Sequence, residues 1–316
     1  MNLNKLHIKA KSISDVEKKK IFNFYRNNYS KKLLFLKKNW KWLYRVNFSK
    51  KNLPHVLLKH NHVVSHSGSI PFHIKINKKN YLSSWFVDFS VVKKYQRMNL
   101  GTELAKIWMK KKDIGVTFCN KRSLKIFKKH NWKEKNNFFM FLVPLRPFDY
   151  PKINYLFKNN FGNLLNIIFF KLFLIFNRFD KNNITKICFL NVSLKTLNKF
   201  RNTDVSNEFT PLRDVNYFKW RVIKSPFKKK YMIIKLKKNY FLVKKNKIKN
   251  VKFLEILLKQ NNIKSVDFRN SLISIYIWAF KKNYSYIKFM TNKEKIKKLN
   301  LFFILKRKLH FAFFSK

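Results

Sequence analysis

Apolar residues recur at helical spacing in some stretches and at every second position in others, which predicts an architecture of mixed helices and strands. Leu6 to Ala10 reads as a short strand. Ser14 or Asp15 can cap a helix reaching Tyr25 to Tyr29, with Val16, Ile21, Phe22 and Phe24 apolar. Trp40, Trp42 and Tyr44 alternate. His55 to Lys59 and His62 to His66 are strand-like runs around a Lys-His-Asn turn, and Gly68 to Pro71 marks a bend. Phe72 to Ile76 and Tyr81 to Val92 follow as strands, joined by a turn over Asn77 to Asn80.

A strand–turn–helix unit comes next. Trp85 to Val92 is strongly strand-like, Lys93 to Gly101 is a basic turn, and Thr102 to Lys111 has helical spacing. Ile114 to Phe118 is a strand and Ser123 to His130 a helix; Phe138 to Val143 is the last strand of this half, and Pro144 to Pro151 closes it. Asp149 to Asn183 has helical periodicity. The second half reads as strand Ile187 to Asn191, helices at Ser193 to Phe200 and Asp214 to Ile223, and strands at Tyr231 to Leu236, Tyr240 to Lys244 and Val251 to Leu257. Helix Ser271 to Phe280, strand Tyr284 to Met290, helix Lys293 to Leu299 and strand Leu301 to Phe314 complete it. The element order of the two halves is similar. The predicted organisation is an N-terminal domain over 1–148, a helical connector over 149–184 and a C-terminal domain over 185–316.

Composition sharpens this picture. Apolar residues make up 46% of the 316, enough for packed cores and against a disordered chain. Four glycines and seven prolines exclude collagen-like and linker-rich architectures. Cys119 and Cys188 lie far apart, against a disulfide scaffold or a cysteine-ligated zinc, and fit a reducing cytoplasm. Met1 to Lys11 is polar and basic, unlike a secretory leader, and Leu164 to Phe176 is too short to span a bilayer. Lysine and arginine outnumber aspartate and glutamate 72 to 14, a net charge of +58. The lysines are scattered through the chain. The Phe, Lys, Asn and Ile excess is what AT-rich coding imposes, so drift competes with nucleic-acid or anionic-surface binding as the origin of the charge. Either way the field draws anionic ligands in.

The turn Gln96-Arg97-Met98-Asn99-Leu100-Gly101-Thr102, after a strand and before a helix, resembles the pyrophosphate loop of the GNAT superfamily, the acetyl-CoA-dependent N-acetyltransferases. That loop reads Arg/Gln-x-x-Gly-x-Gly/Ala. Gln96 and Gly101 match, and Asn99 stands where the first glycine belongs; Asn is among the residues that best tolerate a positive φ. Downstream, Asn120, Ser123, Phe127 and Asn131-Trp132 occupy the places of the family's Asn, its helix with Tyr, and its Gly-Phe pair. Phe127 has no proton to give a departing thiolate. Trp40, Trp42, Tyr44 and the string Arg213-Asp214-x-x-Tyr217-Phe218-x-Trp220-Arg221, then Pro226 and Tyr231, resemble a two-domain subgroup with a GNAT-like half at each end. The second half has no such loop, and glycine is absent after Gly162.

The resemblance implies an α/β (α+β) fold: two GNAT-like domains, each a mixed, mostly antiparallel sheet flanked by helices. It implies acetyl-CoA as co-substrate, held by Gln96 to Thr102, by backbone at Phe89, Ser90 and Val91, and by Asn120 and Ser123. Asp88, a carboxylate on the strand before the loop, is the candidate base; His66, beside the expected acceptor cleft, is a candidate proton relay. His62, His66 and His73 follow a strand pattern, not a metal spacing, and no metal is expected. The expected reaction is acetyl transfer to an amine, with an amino sugar of a cell-envelope or polysaccharide pathway as acceptor class. Two alternatives stand beside it: a Fem-type transferase using aminoacyl-tRNA, and a catalytically inactive basic scaffold for nucleic acid or anionic lipid.

Overall fold

The computed structural model describes residues 3–44, 54–76, 79–110, 113–135, 138–150, 153, 160–177, 185–201, 210–260, 265–292 and 305–315. Helix Lys293 to Leu299, the start of strand Leu301 to Phe314, Asn77 of the expected turn and much of the 149–184 connector lie outside them. Two compact units emerge. One comprises 1–136, 202–226 and 310–316; the other comprises 137–201 and 227–309.

The first unit is built on strands β1 (Ile8–Ser12), β2 (His55–Lys59), β3 (His62–Ile76), β4 (Lys79–Val91), β5 (Ile114–Cys119) and β6 (Lys133–Lys135). Helices α1 (Lys18–Asn28), α2 (Leu33–Tyr44), α3 (Leu100–Lys110) and α4 (Lys121–Lys128) pack on it. The second unit holds β7 (Phe138–Pro144), β8 (Ile187–Leu190), β10 (Tyr231–Leu236), β11 (Asn239–Ile248), β12 (Val251–Lys259), β13 (Tyr286–Asn292) and β14 (Leu305–Lys308), with helices α5 (Asn160–Phe176) and α6 (Ser265–Lys281). The short β9 (Thr210–Pro211) and the final β15 (His310–Ser315) return to the first sheet.

The first sheet runs β1-β2-β3-β4-β5-β15-β6, with β9 on β3; the second runs β14-β7-β13-β12-β11-β10-β8. Each is mainly antiparallel with a parallel pair reached through a helix: β4–β5 around α3, and β12–β13 around α6. That is the two-halved mixed α/β architecture expected. Its assembly differs from a contiguous division at 148 and 184. Phe138 to Val143, expected to finish the first sheet, pairs instead with β13 and β14. The vacated place beside β5 is taken by β15, which pairs Phe311 with Phe118 on one side and with Lys135 on the other.

The expected bend at Gly68 to Pro71 is continuous strand, and the register of β3 with β4 shifts just before it, between His66 and Gly68. The alternating Trp40, Trp42 and Tyr44 lie on a helix, so Trp40 and Tyr44 share a face while Trp42 turns elsewhere. Trp42 stacks on Trp220, and each indole N–H donates to the other residue's carbonyl, at 3.0 and 2.9 Å. Trp220 is thus buried in the first unit. Apolar burial supplies the cohesion. Phe86, Trp108, Leu124, Phe127, Trp132 and Phe314 form one cluster of the first unit, and Phe173, Ile234, Leu254, Leu272, Tyr276 and Ile287 belong to that of the second. Among the described residues no helix is long and apolar enough to cross a membrane.

Candidate active site

The β4–β5 pairing covers only Ser83–Trp85 against Ile114–Val116. Thr117 Oγ1 then donates to the Phe86 carbonyl at 2.9 Å. Beyond that bond a cleft of about 230 Å³ opens, lined by Tyr29, Lys32, Asp88, Phe89, Cys119, Asn120, Ser123 and Phe127 among others. Its shape originates in β4. The β3–β4 register jumps from His66↔Ser90 to Gly68↔Val87, so Asp88 and Phe89 together oppose Ser67. This is a β-bulge, which re-aims a side chain. Asp88 sits at its centre with φ 47°, in the left-handed region.

Four groups hold Asp88 there. Its carbonyl accepts from His66 Nδ1 at 2.8 Å and from the Tyr29 hydroxyl. Its Oδ2 accepts from the Tyr44 hydroxyl at 2.6 Å, and its Oδ1 lies 3.5 Å from the exposed Lys32 ammonium. His66 is fully buried. Because Nδ1 faces a carbonyl, that nitrogen carries the hydrogen, and Nε2 accepts from the Tyr25 hydroxyl at 2.9 Å. Burial holds the imidazole below its usual pKa, against the opposing pull of Asp88. Burial first, and the Asp88 charge second, push the phenols of Tyr25, Tyr29 and Tyr44 up, so all three remain donors. The Cys119 thiol is pushed up to about 11, chiefly by burial, which leaves it un-ionised at neutral pH and a poor nucleophile.

Gln96 to Asn99 lie in the turn after β4 and Leu100 to Thr102 open α3, all outside the lining of this cleft. Gln96 Nε2 donates to the Val91 carbonyl at 3.1 Å. Arg97 and Asn99 have φ 70° and 52°. Met98 packs on the cluster of Ile8, Leu57, Val64, Leu100 and Leu104. Helix α3 opens at Leu100, so its first-turn N–H groups have no acceptor within the helix. A Cβ on Gly101 would stand 2.9 Å from Phe89 Cζ and 3.3 Å from Ile126 Cδ1, so glycine lets α3 start close against both. The Thr102 carbonyl accepts from His130 Nε2 at 3.1 Å.

Asp88, Phe89, Asn120 and Ser123 therefore meet in one cleft, where the Asn120 side chain caps α4 by accepting from the Ser123 N–H at 2.9 Å. The Ser90 carbonyl accepts from Ser65 Oγ at 3.1 Å. His66 lies behind the bulge, outside the lining. Sequence reasoning missed Tyr25, Tyr29, Lys32 and Tyr44. Two tyrosines four apart at the end of α1 were the available signal; their partners, His66 for Tyr25 and Asp88 for Tyr29, lie 41 and 59 residues further along the chain. Among the described residues no group of three or more His, Cys, Asp or Glu side chains converges as a metal site.

No family model and no curated protein matches the sequence. Solved structures match the fold over nearly its whole length. A GCN5-related N-acetyltransferase from Anabaena variabilis aligns at TM-score 0.61 and 9% identity, over 97% of this chain and 72% of that one. The fold is the tandem GNAT fold. A GCN5-related N-acetyltransferase from Kribbella flavida aligns with both GNAT halves at TM-score 0.59 and 6% identity, over 96% and 71%. The Saccharomyces cerevisiae N-myristoyltransferase with bound myristoyl-CoA does so at 0.59 and 11%, over 98% and 82%. In the first GNAT half of the present chain, the parted β4 and β5, the turn before α3 and the Asp88 bulge belong to one strand–helix–strand unit.

Proposed function

We propose that the protein is an N-acyltransferase that moves an acetyl group from acetyl-CoA to an amine, with amino sugars as the acceptor class to screen first. The observation that carries this reading is the Asp88 carboxylate, turned by a β-bulge into the cleft where β4 and β5 part. The first-turn N–H groups of α3 and the preceding turn would receive the pyrophosphate, as helix starts do for anions. The β5-facing edge of β4 from Phe89 to Val91 would hold the pantetheine arm and polarise the thioester carbonyl.

The neutral amine attacks that carbonyl. A C–N bond forms, the C–S bond breaks, the ammonium proton passes to Asp88, and CoA leaves as a thiolate. Phe127 lines the cleft where the family's tyrosine would stand, so the thiolate takes its proton from water. Transfer is taken as direct, and burial, which raises the Cys119 thiol pKa, disfavours a competing acyl-cysteine route. His66, Tyr29 and Tyr44 position Asp88, and of these three Tyr29 also lines the cleft.

Calorimetric titration with acetyl-CoA, CoA and ATP at low and high salt tests the cofactor. A one-site isotherm that prefers acetyl-CoA and survives salt is the expected result. Binding equal for ATP and lost in salt overturns it. Asp88→Asn tests the base. Asn tolerates the left-handed backbone, so the variant should bind acetyl-CoA as before and transfer about 100-fold more slowly. Undiminished turnover would remove Asp88 from the mechanism.

A further inference from the structure

Helix α5 is apolar on two opposite faces. The inner face carries Phe170 and Phe173, both in the core of the second unit, and Phe170 stacks on Phe280 of α6 with centroids 4.1 Å apart. Asn166 and Asn177 anchor the same face. Asn166 bridges the Phe148 N–H and Asp149 Oδ1, and the Asn177 carbonyl accepts from Arg269. The outer face carries Phe161, Leu164, Ile168, Leu172 and Ile175, at i, i+3, i+7, i+11 and i+14, and they are 45–68% exposed. A helix apolar all round is one that is covered on all sides. Soluble monomers seldom leave so continuous an apolar stripe in water.

We propose that this outer face of α5 docks the protein onto an anionic lipid bilayer, lying in the interface and not crossing it. Charge selects this occupant. The helix has one charged residue, Lys171, exposed beside the stripe. Between Asp149 and Asp180 the sequence has no acidic residue, and Asp149 is itself paired with Arg146 at 2.7 Å. An interfacial helix binds by buried apolar area together with attraction of basic residues to anionic headgroups. A second copy of the chain offers the same stripe but brings another +58, which opposes association.

The test is flotation of the full chain with vesicles of phosphatidylcholine alone or with about one third phosphatidylserine. The wild-type protein should float with the anionic vesicles. The triple variant Leu164→Ser, Ile168→Ser, Leu172→Ser keeps every charge and alters only exposed positions. It should lose at least about tenfold in partitioning with its thermal melt unchanged. Equal flotation of the triple variant means that charge alone holds the protein, and overturns the proposal. So does absence of vesicle binding together with a concentration-dependent dimer that the variant abolishes. Should the triple variant not fold, Ile168→Trp replaces it. Quenching of the added tryptophan by lipids brominated on the acyl chain supports insertion, and vesicle binding without quenching overturns it.

Discussion

At Asp88 the backbone enters the left-handed region, which costs a non-glycine residue on the order of 1–3 kcal/mol unless its surroundings fix it. The fixing group of widest consequence is His66, fully buried, with one nitrogen donating to the Asp88 carbonyl and the other accepting from Tyr25. Its pKa is lowered on folding, so the sign of its pH effect is determined. Above the unfolded value of about 6.5 the ring is neutral in both states and contributes no slope. Below it the unfolded chain takes up a proton that the folded chain refuses, so stability falls as pH falls. His66→Asn, which retains a donor and cannot titrate, should flatten the dependence of the denaturation midpoint on pH below about 6.5. An unchanged slope would put the acid sensitivity elsewhere. Individual residues differed in how far the sequence exposed them. Asn99 was expected to tolerate a positive φ and has φ 52°, because that preference is local chemistry. The burial of His66 and the convergence of Tyr29 and Tyr44 on Asp88 were hidden, because they depend on which helix covers which strand.

Among elements, the β4–α3–β5 unit was legible because its members follow one another in the chain and their turn residues adjoin them. The exchange of β7 for β15 was not. Both are brief apolar runs with many aromatics, and alternation alone does not say which of two sheets an apolar strand completes. The packing that admits β15 is tight at Gly115. A Cβ there would overlap the Phe314 ring and come within 2.6 Å of Trp108 Cζ3. Both neighbours are large, buried rings held in the same cluster. Gly115→Ala should therefore destabilise the first unit by about 1–3 kcal/mol, read as a lower denaturant midpoint. A neutral result would mean that β15 can shift away from β5 without cost.

Across the whole molecule, acids are too few to offset the bases. The carboxylates of Glu17, Asp88, Glu103, Glu134, Asp149 and Glu255 each pair with a cation, yet 14 acids leave +58 uncompensated. Such a field acts on encounter more than on the bound state. The association rate of acetyl-CoA should fall about tenfold or more from low to high salt while its dissociation rate changes little, measured by stopped flow. A salt effect confined to dissociation would place charged contacts inside the site instead. The position of β15 has a further consequence, in time. A ribosome makes it after every other strand described, yet it lies between β5 and β6 in the first sheet. Nascent domains ordinarily fold in order of synthesis. Here the open edge of β5 waits while the whole second unit is translated, so the half that contains Asp88 is begun first and finished last.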